Sequence, residues 1–210
     1  MARSTSTTAK SARTSPRTAK GVERAQQIME IAEKLFHRQG YAQTSMDDIA
    51  RATGLLKGSL YYYMDSKEDL LFRIVEDVHE VSRAQLDEAR HQEGVPALQR
   101  LMHFVERQVT YLALNSTRVA VYHHEWHRLE GERLQSVREA RHAYDDALIS
   151  LLQELQAEGS LAADADNRMV ANMVLATICW PYTWYRPGTT TPAELAAACA
   201  NFVRAGLPGL

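Results

Sequence analysis

Residues 54–70 read GLLKGSLYYYMDSKEDL: three consecutive tyrosines behind a lysine, a glycine and a serine, in a segment whose flanks both carry helical patterning. Just upstream, Ser45 is placed to cap a short helix, with Asp48 three residues on as in a capping box and Ile49 and Ala50 facing inward. Gly54 stops that helix. A second short helix is expected from about Lys57 to Met64. A long one follows from Ser66, whose hydroxyl caps it while Glu68 and Asp69 suit the positive end of its dipole. Short helix, tight turn and short helix make the helix-turn-helix plan, in which the second helix enters the major groove of DNA.

That plan explains the tyrosines. At about 100° per residue, Leu60 and Met64 point the same way and must pack on a core. Gly58 and Tyr62 then face away from it, with Ser59, Tyr61 and Tyr63 on the flanks. A phenol can lay its ring on a thymine methyl or a sugar while its hydroxyl bonds a phosphate, and Gly58 lets the helix approach closely.

Working outward, Ala25, Ile28, Met29, Ala32, Leu35 and Phe36 form one face of a helix from Val22 to Gln39, stopped by Gly40. Residues 1–20 are Ser/Thr-rich with five basic residues and no acidic one, and read as a disordered basic arm, a composition shared by organellar transit peptides. Residues 1–67 carry 11 Lys+Arg against 6 Asp+Glu, whereas residues 68–210 carry 13 against 20. A basic head on an acidic body suggests a polyanion partner for the head alone. The division expected is therefore an arm (1–20), a DNA-binding unit (21–67) and a body (68–210).

The body reads as helix throughout. Pro96 opens a stripe of Leu98, Leu101, Met102, Val105, Val109 and Leu112. Val119, Tyr122, Trp126 and Leu129 share a further helix. Leu134, Val137, Arg141, Tyr144, Leu148, Leu151 and Leu155 line another that stops at Gly159. Two more are expected, from about Ala165 to Tyr185 and from Pro192 to Ala205, around the breaker RPGTTTP. The expected fold class is all-α, with about nine helices.

No apolar run of about 18 residues and no secretory h-region stand out, so the expected setting is cytoplasmic with no membrane partner. Cys179 and Cys199 lie outside any C-x-x-C pattern and read as buried thiols. In YHHEWHRLEGERL, His123 and His127 are spaced i,i+4 and could hold a metal with Glu125 nearby and a third ligand such as His103, but the pattern is not H-E-x-x-H. A polar helix face with Tyr122 and Trp126 buried is the preferred reading, and no metal or cofactor is expected. A metal- or substrate-binding helical-bundle enzyme is the competing class, without a nucleophile motif, phosphate-cradling glycine loop or paired carboxylates to support it.

Over about residues 22–72, TSMDDIARATGLLKGSLYYYMDSKEDLL closely resembles the tetracycline-repressor (TetR) family of bacterial transcriptional regulators. The resemblance implies a homodimer on a double-stranded DNA operator, released by a small-molecule effector of unknown identity. It places Thr44 and Ser45 on phosphate and Lys57, Gly58, Ser59 and Tyr61 nearest the bases. Tyr62 and Tyr63 would lie against the backbone, and Lys67 on a further phosphate. Leu56 stands where the family often has a Ser or Thr cap, and Tyr63 where a histidine is frequent.

In this family the C-terminal helices form a ligand pocket and a dimer interface. The candidates for the pocket are Met102, Tyr122, Trp126, Arg141, Tyr144 and Trp180. Those for the dimer seam are Met173, Ile178, Ala197 and Ala200, the last two in the small-residue run AELAAACANFV. Arg141 occupies a position where the stripe otherwise calls for an apolar side chain, so it needs an anion: an internal partner such as Glu106 or Glu125, solvent at the helix edge, or the effector, with Arg186 of WYRPG next in line. YHHEWHRL and WYRPG are similar to their counterparts in family members that regulate fatty-acid or sterol breakdown in response to acyl-CoA thioesters. An aromatic or multidrug-type effector stays open.

Overall fold

The structure is a computed structural model that describes residues 19–207. The basic arm expected at residues 1–20 thus lies outside the described residues, except that Ala19 and Lys20 already belong to the first helix. Among the described residues the chain is all-α, as expected, with ten α-helices and one 3-10 turn. The helices are α1 (Ala19–Gln39), α2 (Met46–Thr53), α3 (Lys57–Tyr63), α4 (Lys67–Arg90) and α5 (Ala97–Leu114), then α6 (Ser116–Glu125), which runs into the turn Trp126–Arg128. The remainder are α7 (Gly131–Ala157), α8 (Asn167–Cys179), α9 (Pro181–Trp184) and α10 (Pro192–Gly206).

The local signals in the sequence act as read. Ser45 Oγ accepts the Asp48 N–H at 3.1 Å while the Asp48 carboxylate accepts the Ser45 N–H at 3.0 Å, completing the capping box of α2. Gly54 ends that helix in the left-handed region, φ 67°, where a side chain would be strained. Ser66 caps α4 through the Asp69 N–H at 3.0 Å. Leu56, by contrast, precedes α3 with no side-chain cap and is 81% exposed. So short a helix is marginal alone and is held by its one buried residue, Leu60.

Two expected helices are shorter than the periodicity suggested. The segment expected from Ala165 to Tyr185 divides because Pro181 has no N–H to give the Thr177 carbonyl, which instead receives the Cys199 thiol at 3.9 Å. The helix expected to carry Val119 to Leu129 ends at Glu125, and Trp126–Arg128 tightens into the 3-10 turn. His123 and His127 therefore do not share one helical face. No group of three or more His, Cys, Asp or Glu side chains that could hold a metal ion occurs among the described residues.

Two apolar cores are stacked along α4. The first gathers α1, α2, α3 and the start of α4, and it also takes Val121 and Tyr122 from α6, Leu129, and Val137 from α7. The second begins at Leu86 and Ala89 at the far end of α4 and fills the space among α5, α7, α8 and α10. The unit expected at 21–67 thus does not close its core by itself. A charged cluster marks the same junction: Arg118 of α6 bonds Glu33 of α1 at 2.8 Å and Asp77 of α4 at 3.1 Å. No described helix is long and apolar enough to cross a membrane.

Candidate nucleic-acid interface and ligand cavity

Helix α3 presents Lys57, Gly58 and Ser59 to solvent, followed by half-buried Tyr61, exposed Tyr62 and half-buried Tyr63, while Leu60 and Met64 are buried beneath them. A Cβ added at Gly58 would meet nothing within 4 Å, so the face is open. The Tyr62 and Tyr63 rings meet edge to face at 5.1 Å, which fixes two phenols as one ledge. Lys57 reaches back to Asp47 on α2 at 2.9 Å through an exposed ion pair, a partner that phosphate can displace at little cost.

Two of the expected phosphate contacts are engaged inside the fold. Thr44 is 1% exposed; its hydroxyl donates to the Gly40 carbonyl at 2.8 Å and accepts from the Gln39 amide at 3.3 Å. Its side chain closes the loop between α1 and α2, and the neighbouring Ser45 is exposed, with its hydroxyl held by Asp48 in the capping box. Lys67 donates to the Tyr41 carbonyl at 2.9 Å and sits 4.2 Å from that ring's centre, with burial lowering its pKa. An ammonium has three donors, so two remain beyond the Tyr41 bond.

The body holds a half-open cavity of about 340 Å³ between α4, α5, α6, α7 and α8. Three of its residues act in series: Arg141 Nη1 donates to the Tyr122 hydroxyl at 2.6 Å, and that hydroxyl lies 3.2 Å from His79 Nε2. Because the guanidinium can only donate, the phenol proton is free for His79. Burial, reinforced by Arg141, pushes the His79 pKa down to about 4, and His123 on the same wall is lowered likewise to about 4. Burial raises Tyr122 to about 12 and the Cys179 thiol to about 11. At neutral pH these four side chains are uncharged, and Arg141 is the cation of the wall.

The pocket candidates separate accordingly. Tyr122, Arg141 and Tyr144 line the cavity. Trp126 stands beside it and braces Arg141, whose guanidinium lies 4.8 Å from its ring. Met102 is 1% exposed and packed in the second core, because its position in the α5 stripe points it at neighbouring helices, and Trp180 is 65% exposed at the break before Pro181. Neither Glu106 nor Glu125 pairs with Arg141, which makes no ion pair among the described residues. Arg186 is exposed and bonds the Tyr185 carbonyl at 2.9 Å, away from the cavity. Sequence reading passed over His79, Gln108, Asp145 and Cys179 on the wall. Gln108 carried a legible signal, a polar residue in the buried stripe between Val105 and Leu112.

Of the seam candidates, Met173 and Ala197 are exposed on α8 and α10, whereas Ile178 and Ala200 are 1% and 2% exposed within the protomer's own core. Helical spacing turns those two inward. An apolar groove between the helices is rimmed instead by Met173, Thr177 and Phe202, with Phe202 71% exposed.

A capped helix-turn-helix with an open aromatic face, seated on a helical body that holds a cavity, defines a DNA-binding regulator. Residues 28–74 match the description "Bacterial regulatory proteins, tetR family", and residues 94–207, more than half of the chain, match "Tetracyclin repressor-like, C-terminal domain". The protein belongs to the TetR family of transcriptional regulators, which settles against the enzyme alternative. It is 28% identical over 181 residues to the HTH-type transcriptional repressor KstR2 of Rhodococcus jostii, covering 83% of this chain and 85% of that one. The ketosteroid regulator KstR2 of Mycobacterium tuberculosis has the same fold, with a TM-score of 0.82 at 23% identity over 88% of this chain and 95% of that one. AibR, solved with isovaleryl coenzyme A and operator DNA, superposes with a TM-score of 0.75 at 26% identity, covering 85% and 97%.

Proposed function

We propose that the protein is a ligand-released repressor, binding a near-palindromic operator as a two-fold homodimer and losing affinity for it when a small, partly apolar anion enters the cavity. The observation that carries this reading is the double duty of α6. Tyr122 and His123 of that helix line the cavity, Tyr122 also belongs to the DNA-binding core, and Glu125 accepts the Tyr41 N–H at 3.1 Å in the loop that leads to α2. A ligand shifts an equilibrium only by the difference in its affinity for the two arrangements. A wall helix that also grips α1 and the α2 loop supplies such a difference. The likeness to AibR, a protein solved with an acyl-CoA and operator DNA, supports an anionic acyl effector class.

In the DNA complex Lys57, Gly58, Ser59 and Tyr61 lie nearest the bases, with Tyr62 and Tyr63 on the sugar-phosphate backbone and Ser45 and Lys67 on phosphates. Fluorescence anisotropy on operator and scrambled duplexes tests the division. Tyr61→Ala should narrow the gap between the two by about 1–3 kcal/mol. Lys67→Gln, which keeps a donor for the Tyr41 carbonyl, should weaken both alike and reduce the salt slope by about 0.9. Equal losses on both duplexes for both variants would sink these assignments.

Two recognition helices must reach successive major grooves about 34–36 Å apart, which requires a two-fold dimer. The exposed α8 and α10 face, with Met173, Ala197 and Phe202, is the proposed seam. A glutamate placed there would be desolvated without a partner. Phe202→Glu and Ala197→Glu should each therefore sediment as monomers; dimers at micromolar concentration in both would place the seam elsewhere.

A further inference from the structure

The cavity is half open, and one helix carries both its mouth and the apolar face proposed as the seam. From α8 it is lined by Asn172, Leu175, Ala176 and Cys179, of which Asn172 and Ala176 are exposed. Ala176 also lines the groove rimmed by Met173, Thr177 and Phe202, so mouth and groove share a wall. Every residue lining that groove is uncharged.

The exposed side chains along α8 are ordered. Met169, Met173, Ala176 and Trp180 follow one another at spacings of four, three and four, which at about 100° per residue keeps them within about 60° of one another. Trp180 keeps helical geometry, its N–H donating to the Ala176 carbonyl at 3.0 Å, so the stripe runs unbroken to Pro181. Met169 is 55% exposed, Met173 45% and Trp180 65%. Such spacing is that of a seam between helices, and a two-fold dimer presents the same face on both sides. Ala176 is the smallest residue of the stripe, so two copies approach most closely there. About an axis at that point, antiparallel helices bring position 180 of one copy opposite position 172 of the other. A large indole then meets the hollow beside Asn172, a knob facing a hole. Parallel helices would set Trp180 on Trp180 and leave a gap at Ala176.

Resting on the effector and dimer readings, we propose that each cavity is completed by a second copy of this chain: the α8 stripes pack antiparallel about a two-fold axis at Ala176, and Trp180 of the partner subunit closes the mouth beside Asn172. An occupant of the cavity then presses on the neighbouring protomer, and through it on the spacing of the two recognition helices. Coupling of this kind is reciprocal, so the dimer holds the occupant more tightly than a monomer does.

Disulfide trapping in the full chain tests the register. The native thiols are first replaced, Cys179→Ala and Cys199→Ala. Positions 172 and 180 lie about 12 Å apart along one helix, beyond the roughly 7 Å that a disulfide spans, so cysteines there can join only two subunits. Asn172→Cys with Trp180→Cys should give a covalent dimer on mild oxidation, seen by non-reducing electrophoresis and lost with reductant, whereas each single cysteine should give none. Cross-linking by either single cysteine puts the axis at that residue and overturns the proposal. No cross-link in a protein that sediments as a dimer overturns it too, with the dimer reading left standing, whereas a monomeric wild type removes both. Cys179, which lines the cavity, gives a second measurement on a chain altered only at Cys199→Ala. An aromatic disulfide reagent should modify it several-fold more slowly in the dimer than in the Phe202→Glu monomer. Trp180→Ala should abolish that protection in the dimer and change nothing in the monomer. Equal rates in dimer and monomer would mean that the mouth stays open in the assembly, and the proposal fails.

Discussion

Replacing Arg118 with methionine is expected to lower stability by about 3–5 kcal/mol at neutral pH, toward the lower end because the Arg118 side chain keeps 16% exposure. The loss arises less from the missing attraction than from what is left behind. Glu33, its side chain 9% exposed, would remain buried as a carboxylate with no cation in reach. Burial already raises the Glu33 pKa above the ordinary carboxyl range, opposed chiefly by Arg118. Without Arg118 that rise must grow. A carboxyl whose folded pKa exceeds its unfolded value binds more protons folded than unfolded, so stability falls as pH rises through the window between the two. The deficit of the variant should therefore be larger at pH 8 than at pH 5, as urea unfolding at both values would show. A deficit independent of pH, or below about 1 kcal/mol, would mean that water replaces the arginine at this junction. Glu33→Gln added to Arg118→Met should recover much of the loss, because the neutral amide removes the stranded charge.

This junction also marks where sequence reading stops. Capping, turn chemistry and helical periodicity are local, and they placed Ser45, Asp48, Gly54, Leu60 and Ser66 in the roles that the structure gives them. The resemblance places Thr44 and Lys67 on phosphate, and residue type gives no sign of their internal partners, the carbonyls of Gly40 and Tyr41, which are backbone groups brought close by the α1–α2 loop. Backbone partners leave no trace in residue type. The same holds for Glu125, whose carboxylate accepts the Tyr41 N–H across 84 positions of sequence. Arg141 was legible as an anomaly, a cation in an apolar stripe, but its actual neighbours Tyr122 and Trp126 come from another helix and a turn. Periodicity says that a position faces inward. It does not say whether the inside is packed, as at Met102, or hollow, as at Tyr144.

Leu60→Ala is expected to weaken DNA binding severely at temperatures where the protein remains folded. Leu60 is 0% exposed and is the one buried residue of α3, a helix of 7 residues whose start lacks a side-chain cap. A helix this short has almost no stability of its own, so its position rests on that anchor. Truncation to alanine should remove about 2–5 kcal/mol of packing. Much of that loss should fall on the docking of α3 rather than on the whole molecule, since the first core keeps its contacts from α1, α4 and α6. Operator affinity should then fall by roughly 30-fold or more, because the tyrosines and Lys57 must be reordered at the moment of binding. Tyr61→Ala removes the proposed base contact while keeping the helix in place, so the two variants separate positioning from recognition. Leu60→Ala should lose affinity for operator and random duplex together and recover part of it on cooling, whereas the loss of discrimination in Tyr61→Ala should change little with temperature. Hydrogen exchange of the α3 amides gives the independent measure. If Leu60→Ala exchanges them no faster than the wild type, the recognition helix is held by something other than its single buried leucine.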